Sequence, residues 1–300
     1  MYNIISKTKY AYIFSGVLTF LSLLSLLVWG LKYDIDFTGG TLMQVQFVSP
    51  VPTSQDISDA LASQNLKSLT VQTSDNNSFL VRYASEDDQT NDSVWQTINS
   101  KWSSATQLSV DFTNSTVSQE LKSESLNAIG VAIIVIMLYI AWAFRRVSRP
   151  VESWKYGLGA VIALIHDVLI TAGVFSVLGH FYGIEVGIPF IAALLTVLGF
   201  SVHDTIVVFD RTRENLIKGS SNEEFPDVVN KSLNETMVRS FNTSLTVIIT
   251  LLAIYIFGGE SIKYFALALL VGVTFGTYSS IFVASALLVT SYKLTIKYKK

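Results

Sequence analysis

The sequence predicts a polytopic α-helical membrane protein with six transmembrane helices and a small α+β, ferredoxin-like domain (βαββαβ) between the first and second. Three observations predict it. Half of the 300 residues are hydrophobic and only 15% are charged, whereas a soluble domain carries about a quarter charged residues. Six apolar runs each approach the roughly 20 residues that cross about 30 Å of hydrocarbon. Between the first two runs lies a polar stretch holding twelve Asp/Glu and five Lys/Arg.

The spans fall near 11–31, 126–144, 156–178, 186–209, 241–257 and 265–289. The first follows Lys7 and Lys9, as a signal peptide would. Its run is too long for an h-region and no small-x-small site follows, so it reads as a retained helix. Orientation follows from Lys and Arg in the connecting segments. Lys7 and Lys9; Arg145, Arg146, Arg149 and Lys155; Arg211, Arg213, Lys218, Lys231 and Arg239; and Lys293, Lys297, Lys299 and Lys300 share one side. The short loops 179–185 and 258–264 carry only Lys263. Both termini are therefore expected in the cytoplasm. The domain plan is 1–31 for the N-terminus and first helix, 32–125 for an extracytoplasmic domain, 126–290 for five helices with a cytoplasmic loop at 210–240, and 291–300 for a cytoplasmic tail.

Within 32–125 the elements alternate. "TLMQVQFV" (41–48) alternates as a strand does, and "TSQDISDALASQN" (53–65) opens on Thr and Ser with Ile57, Ala60 and Leu61 at helical spacing. "SLTVQTS" (68–74) and "NSFLVRYA" (77–84) read as a hairpin around Asp75, Asn76 and Asn77. "EDDQTNDSVWQTINSKW" (86–102) is helical, with acids in its first turn and Val94, Ile98 and Trp102 on one face. "QLSVDF" (107–112) is a last strand, giving the split βαβ order of the ferredoxin-like sandwich.

Polar residues interrupt the spans. Asp167 sits mid-way along the third beside His166, Asp204 lies within the fourth beside His203, and Arg239 opens the fifth. A charge at mid-bilayer costs about 2.5–3.5 kcal/mol on insertion scales. Arg239, Thr243, Thr246 and Thr250 share one face, with Asn242 beside it, and Asp167 and Thr171 are a turn apart. Such faces are expected to meet each other or a wet cavity within the bundle. They serve as interhelical glue, or, for a carboxyl group whose ionisation follows its partners, as a proton relay. Asp210, Arg211, Arg213 and Glu214 read as interfacial anchors with some ion pairing. Gly272, Gly276 and Ser280 form a small-xxx-small packing face on the sixth span. Phe225, Val229, Leu233 and Met237, at steps of four within 222–238, predict an amphipathic helix on the cytoplasmic membrane surface.

Several classes are excluded. There is no cysteine, hence no disulfide, thiolate nucleophile or Cys-ligated metal. With three histidines and no HExxH a zinc site is not expected. No GxxxxGK[ST] loop and no GxSxG elbow occurs. The chain is expected to be no enzyme, to have no ATPase of its own and no cofactor, and to draw energy from an ion gradient or a partner. A net charge of −2 without a basic domain predicts no nucleic-acid partner.

Three motifs carry a family resemblance. "YDIDFTGGTLMQVQF" (33–47), "FSVHDTIVVFDRTREN" (200–215) and "SLNETMVRSFNTSLTVIITLLAIYIFGG" (232–259) resemble segments of the SecD/SecF family of protein-export membrane subunits, the second matching its SecF branch. The family belongs to the resistance–nodulation–division superfamily of proton-driven machines. The resemblance implies a subunit of the bacterial cytoplasmic membrane, paired with a SecD-like subunit, beside the SecYEG channel, with a YidC-type insertase as a further neighbour. Its cargo would be a translocating preprotein, pulled late in export by a proton gradient, or by sodium in some members. Carried over by position, the resemblance makes Asp204 the proposed ion carrier and implicates Arg239, which opens the fifth helix. Asp34, Asp36, Phe37, Gly39 and Gly40, then Asp210, Arg211, Arg213, Glu214 and Asn215, then Asn242 and Thr243, match family motifs. Many members have Asn where this chain has His203, leaving open whether His203 joins a relay or tunes Asp204. Two other classes stay open: a small-molecule exporter of the same superfamily, which would carry both halves in one chain, and a passive scaffold for the export channel.

Overall fold

A computed structural model describes residues 2–74, 76–85, 87–145, 151–218 and 223–299. Asp75, Glu86, Arg146, Arg149 and Lys300 lie outside the described residues. In chain order the elements are α1 (Thr8–Val28), α2 (Ile35–Thr38), β1 (Gly40–Phe47), α3 (Ser54–Leu61), β2 (Thr70–Thr73), β3 (Ser78–Tyr83), α4 (Asp88–Lys101), β4 (Ala105–Thr113), α5 (Ser115–Ala143), α6 (Ser153–Tyr182), α7 (Ile188–Lys218), α8 (Phe225–Phe257), α9 (Glu260–Ser279) and α10 (Ser285–Lys299). A π-helical turn, Ser280–Ala284, joins the last two. The chain forms two compact units: a membrane unit of Met1–Lys32, Asn127–Glu185 and Pro189–Lys300, and an α+β unit of Tyr33–Leu126 with Val186–Ile188.

The α+β unit has the expected topology. Its sheet runs β2-β3-β1-β4, every neighbouring pair antiparallel. Alternation turns Met43, Val45 and Phe47 of β1 and Phe79, Val81 and Tyr83 of β3 to one face, where Ile57 and Leu61 of α3 and Val94 and Ile98 of α4 cover them. Burying each such side chain contributes about 1.5–3 kcal/mol. Trp102 packs at the margin, edge-on to Phe47 at 5.6 Å. Thr53 starts α3 with a capping box: its hydroxyl accepts the Asp56 N–H, and Asp56 accepts the Thr53 N–H at 2.9 Å. The Thr53 hydroxyl and N–H hold the Asp56 carboxyl below its usual range.

One element was not anticipated. Asp34 caps the four-residue α2 through the Ile35 N–H, and Gly39 ends it at φ 73°. Gly40 follows at φ 119°, where an added Cβ would stand 2.6 Å from the Tyr83 carbonyl oxygen. A side chain at Gly40 meets both a left-handed backbone and a fixed neighbour strand. Gly40→Ala is expected to destabilise the unit by about 1–3 kcal/mol, seen as faster hydrogen exchange in β1 and β3 of the full-length protein. Native exchange rates would refute it.

Among the described residues, the membrane unit holds six helices long and apolar enough to cross a membrane, the sixth being α9 and α10 taken together. Small residues bring them close. A Cβ on Gly173 of α6 would run into Ser22 of α1, and Ser25 and Ser176 bond across the same seam. Gly272 of α9 faces Val197 of α7, Gly276 faces Ser201, and Ser280 bonds Thr205 at 2.9 Å. Partners that advance together in steps of four fix α7 and α9 as parallel neighbours. Ring packing of Phe144, Tyr156 and Phe209 closes one end of the core.

Two expectations about helix boundaries are corrected. The stretch 222–238 is no separate surface helix; from Phe225 it is continuous with the fifth span in the 33-residue α8. Its Phe225, Val229 and Leu233 are buried in the core of the membrane unit. An i+4 stripe looks alike whether it meets lipid headgroups or other helices. The segment 210–240 is accordingly helical through Lys218 and again from Phe225. Similarly, α5 starts at Ser115, inside the stretch read as the polar domain.

Candidate functional site: carboxylates inside the helix bundle

The two intramembrane aspartates differ in how fully they are hydrogen-bonded. Asp167 of α6 is 0% exposed. Its Oδ2 accepts the hydroxyls of Ser201 on α7 and Ser279 on α9, each at 2.7 Å, and its Oδ1 lies 2.9 Å from His166 Nδ1. Thr171, on the same face, returns its hydroxyl to the Asp167 carbonyl at 2.8 Å. The Ser280 hydroxyl donates to the Ser201 carbonyl at 3.1 Å and Ser285 donates to the Ser280 carbonyl at 3.2 Å, so the π turn carries its own polar bonds. A π turn re-aims side chains that a regular helix would hold 100° apart. Ser279, the last residue of α9, bonds to α6, and Ser280, the first of the π turn, bonds to α7. His166 Nε2 is buried without a hydrogen-bond partner.

Asp204 of α7 is 6% exposed. Ser240, His203 and Arg239 are the polar neighbours of its carboxyl, yet neither Asp204 Oδ2 nor Ser240 Oγ completes a hydrogen bond. His203 and Arg239 are exposed on the surface of this chain. Among the described residues no ion pair within 4 Å joins Arg239 to Asp204, so the expected counter-charge is near but not in contact. The α8 face of Arg239, Asn242, Thr243, Thr246 and Thr250 is also exposed, and it does not meet the Asp167–Thr171 face. The correction has a simple cause: each of these threonines donates to a carbonyl one turn back on its own helix, at 2.9, 3.1 and 3.0 Å. They need no partner helix.

At the far end of α7 the residues 210–215 form a network with α8. Arg211 pairs with Glu235 at 2.6 Å and with Glu214, Asn215 donates to Glu235 and to Ser232 at 2.8 and 2.9 Å, and Arg213 pairs with Asp210 at 2.9 Å. In the α+β unit, Asp34 pairs with Arg82 at 2.7 Å, Asp36 accepts the Ile188 N–H at 3.0 Å, Phe37 is buried, and Gly39 and Gly40 make the turn into β1. Burial lowers the Arg82 pKa, and the nearby Asp34 and Asp36 carboxylates oppose that shift.

Sequence reasoning missed Ser201, Ser279, Ser240, Ser232 and Glu235 as partners, and Asn230 and Asn234 of α8, which clasp backbone groups of Tyr2 and Ile4. Only the last two left a signal, an i, i+4 pair of asparagines. Asp167→Ala would leave the hydroxyls of Ser201 and Ser279 and the His166 ring without their acceptor. Interhelical hydrogen bonds are worth about 0.6–1.7 kcal/mol each, so a loss of about 2–4 kcal/mol is expected. Thermal unfolding in detergent should show it, with Asp167→Asn falling between. An unchanged midpoint for Asp167→Ala would contradict it.

The profile of the family described as protein export membrane protein SecD/SecF, C-terminal, matches residues 94–294, and that of the SecD/SecF GG motif matches 25–51. The chain is 44% identical over 299 residues to the protein translocase subunit SecF of Thermobaculum terrenum, covering 95% of this chain and 93% of that one. It is 39% identical over 286 residues to that of Vibrio alginolyticus, covering 93% and 86%. It superimposes with a TM-score of 0.84 and 33% identity on the crystal structure of SecDF, a translocon-associated membrane protein, from Thermus thermophilus. That match covers 96% of this chain but 38% of the solved chain. Against SecDF in a super-membrane-facing form the TM-score is 0.69 at 32% identity, over 99% of this chain and 39% of the other. The chain is a multi-pass membrane protein, and it belongs to the SecF family of protein translocase subunits.

Proposed function

We propose that the protein works with a SecD-like subunit in the bacterial cytoplasmic membrane to promote late translocation of preproteins delivered by a SecYEG-type channel, driven by the proton gradient. In this reading both termini are cytoplasmic, and residues 32–125 form the extracytoplasmic domain that acts on the emerging chain. A YidC-type insertase would be a neighbour of the assembly. The observation that carries the reading is the contrast between the two buried carboxyl groups. Asp167 has a partner at each of its oxygens, which suits a fixed strut. Asp204 is buried in a helix interior with an oxygen left unbonded, and burying an unsatisfied polar group is expensive unless a change of state uses it.

The cycle follows from elementary electrostatics. On the side of high proton potential Asp204 is protonated and neutral, which suits its buried setting. On release of the proton the carboxylate needs a counter-charge, and Arg239 is the cation within reach. Drawing Arg239 in requires α8 to move against α7. A gradient of about 180 mV supplies roughly 4 kcal/mol per proton, scaling from 2.3 kcal/mol per 100 mV, enough to bias a two-state packing strongly. The exposed Arg239 and Asn242 support a partner on this face, because lipid would leave both unsolvated.

Asp204→Asn keeps size and hydrogen-bonding capacity but removes titration. It is expected to assemble normally and lose gradient-dependent export, measured as late preprotein translocation into vesicles with and without a proton gradient at matched protein levels. Arg239→Ala should weaken the same step, and His203→Asn should retain it with a shifted pH optimum. Full gradient stimulation in Asp204→Asn would leave the passive scaffold as the better reading. Topology is checked separately on the cysteine-free background. A cysteine at Ser103 should react with an impermeant maleimide in cells freed of any outer barrier, and one at Lys218 should not; the reverse pattern would overturn the orientation.

A further inference from the structure

The GG segment of the α+β unit holds more than its own turn. Asp34 and Asp36 stand two residues apart on either side of Ile35, and their carboxylates are committed to different partners. Asp34 Oδ1 takes Arg82 of β3 at 2.7 Å. Asp36 Oδ2 takes the backbone N–H of Ile188 at 3.0 Å, and Ile188 is the first residue of α7. Around that bond the backbone is fixed twice more: the Asp34 N–H donates to the Val186 carbonyl at 3.0 Å, and Tyr33 bridges Val186 in parallel. Gly187, between them, is buried. A Cβ there would stand 2.8 Å from Asp36 Oδ2 and 3.3 Å from Asp34 Oδ2, so only glycine leaves both carboxylates in place. The same short helix α2 also receives the Ser118 hydroxyl of α5, on the Ile35 carbonyl, at 3.1 Å. All these residues belong to the α+β unit.

From this geometry we infer that Asp36 and Gly187 form a latch that ties the start of α7 to the central strand β1, so that displacement of α7 is passed to the α+β domain. The inference rests on the reading of Asp204 as the ion carrier. Asp204 lies sixteen residues beyond Ile188 on one unbroken helix, about 24 Å at 1.5 Å per residue. A continuous helix passes axial displacement from one end to the other. At its start the Ile188 N–H has no partner within α7, and the Asp36 carboxylate both fills that bond and complements the positive helix end. Gly40 opens β1 four residues after Asp36, with α2 and the tight Gly39–Gly40 turn between them. Asp36 is a positioning residue: it never meets the moving proton.

The test uses the full chain co-assembled with its SecD-like subunit in vesicles. Three quantities are read: hydrogen exchange at Ile188 with β1 as control, pH-dependent carbodiimide labelling of Asp204, and translocation with and without a proton gradient. Asp36→Ala and Gly187→Ala should speed exchange at Ile188 about tenfold or more while β1 stays protected. Asp204 labelling should keep its pH profile, and gradient stimulation should fall about fivefold or more. Asp36→Asn retains an oxygen that can accept the Ile188 N–H and should restore most of the stimulation. Full stimulation in Asp36→Ala despite fast exchange at Ile188 overturns the latch alone. Loss of β1 protection together with loss of stimulation, unrelieved in Asp36→Asn, also overturns it, leaving Asp36 as a folding residue. A native protein whose Asp204 labels identically at every pH overturns the ion-carrier reading first, and the task assigned to the latch with it.

Discussion

Three helices of the membrane unit, α6, α7 and α9, meet at one buried carboxyl group. Hydrocarbon offers no hydrogen bonds, so Asp167 must find all of its donors in the protein. It finds them on two other helices, Ser201 of α7 and Ser279 of α9, and its other oxygen lies against the ring of its own neighbour His166. Both serine bonds need helix axes closer than large side chains permit, and Gly272 and Gly276 supply that closeness on α9. The π turn at Ser280–Ala284 begins one residue after Ser279, with Ser280 bonded to Thr205 and to the Ser201 carbonyl of α7. The polar hub and the glycine face go together at the junction of α6, α7 and α9.

The hub gives α7 two unlike stripes. Val197, Ser201 and Thr205 look toward α9 and are locked by packing or hydrogen bonds. Asp204 sits one residue before Thr205, turned about 100° away, where its neighbours are Ser240 and Arg239 of α8 and its Oδ2 has no hydrogen-bond partner. At the end of the same helix Arg211 and Asn215 close firmly on Glu235 and Ser232 of α8. The α7–α8 seam is thus bonded at one end and open at the level of Asp204.

The sequence made the spans and the βαββαβ unit legible because both rest on periodicity. A 20-residue apolar run and a strict alternation such as Met43, Val45 and Phe47 keep their meaning wherever the rest of the chain goes. Asp167 and Asp204 were legible as expensive, and the difference between them was not. It depends on Ser201 and Ser279, which lie 34 and 112 residues away from Asp167 and look in sequence like any other serine in a membrane helix. The boundary of α8 was misread because an amphipathic stripe does not reveal what covers it. The role of Gly187 left no signal at all: its constraint comes from carboxylates about 150 residues earlier. The glycines 39 and 40 were visible as a motif, but their reason, a left-handed turn against the Tyr83 carbonyl, is a fact of strand pairing.

The exposed face of α8 shows how finely solvation separates residues that share a helix stripe. Thr243, Thr246 and Thr250 satisfy their hydroxyls on the preceding turn and can face lipid or protein at similar cost. Arg239 and Asn242 have no such recourse, and among the described residues neither side chain completes a hydrogen bond or ion pair. A guanidinium keeps its charge at any accessible pH, so it cannot escape by losing a proton as a carboxyl group can. Arg239 has three ways to be solvated: water at the membrane surface, the Asp204 carboxylate once ionised, or an acceptor on another chain. The first costs least when Asp204 is neutral, and the second when it is charged. The resting place of Arg239 would then follow the protonation of Asp204, which is the coupling the proposed cycle requires.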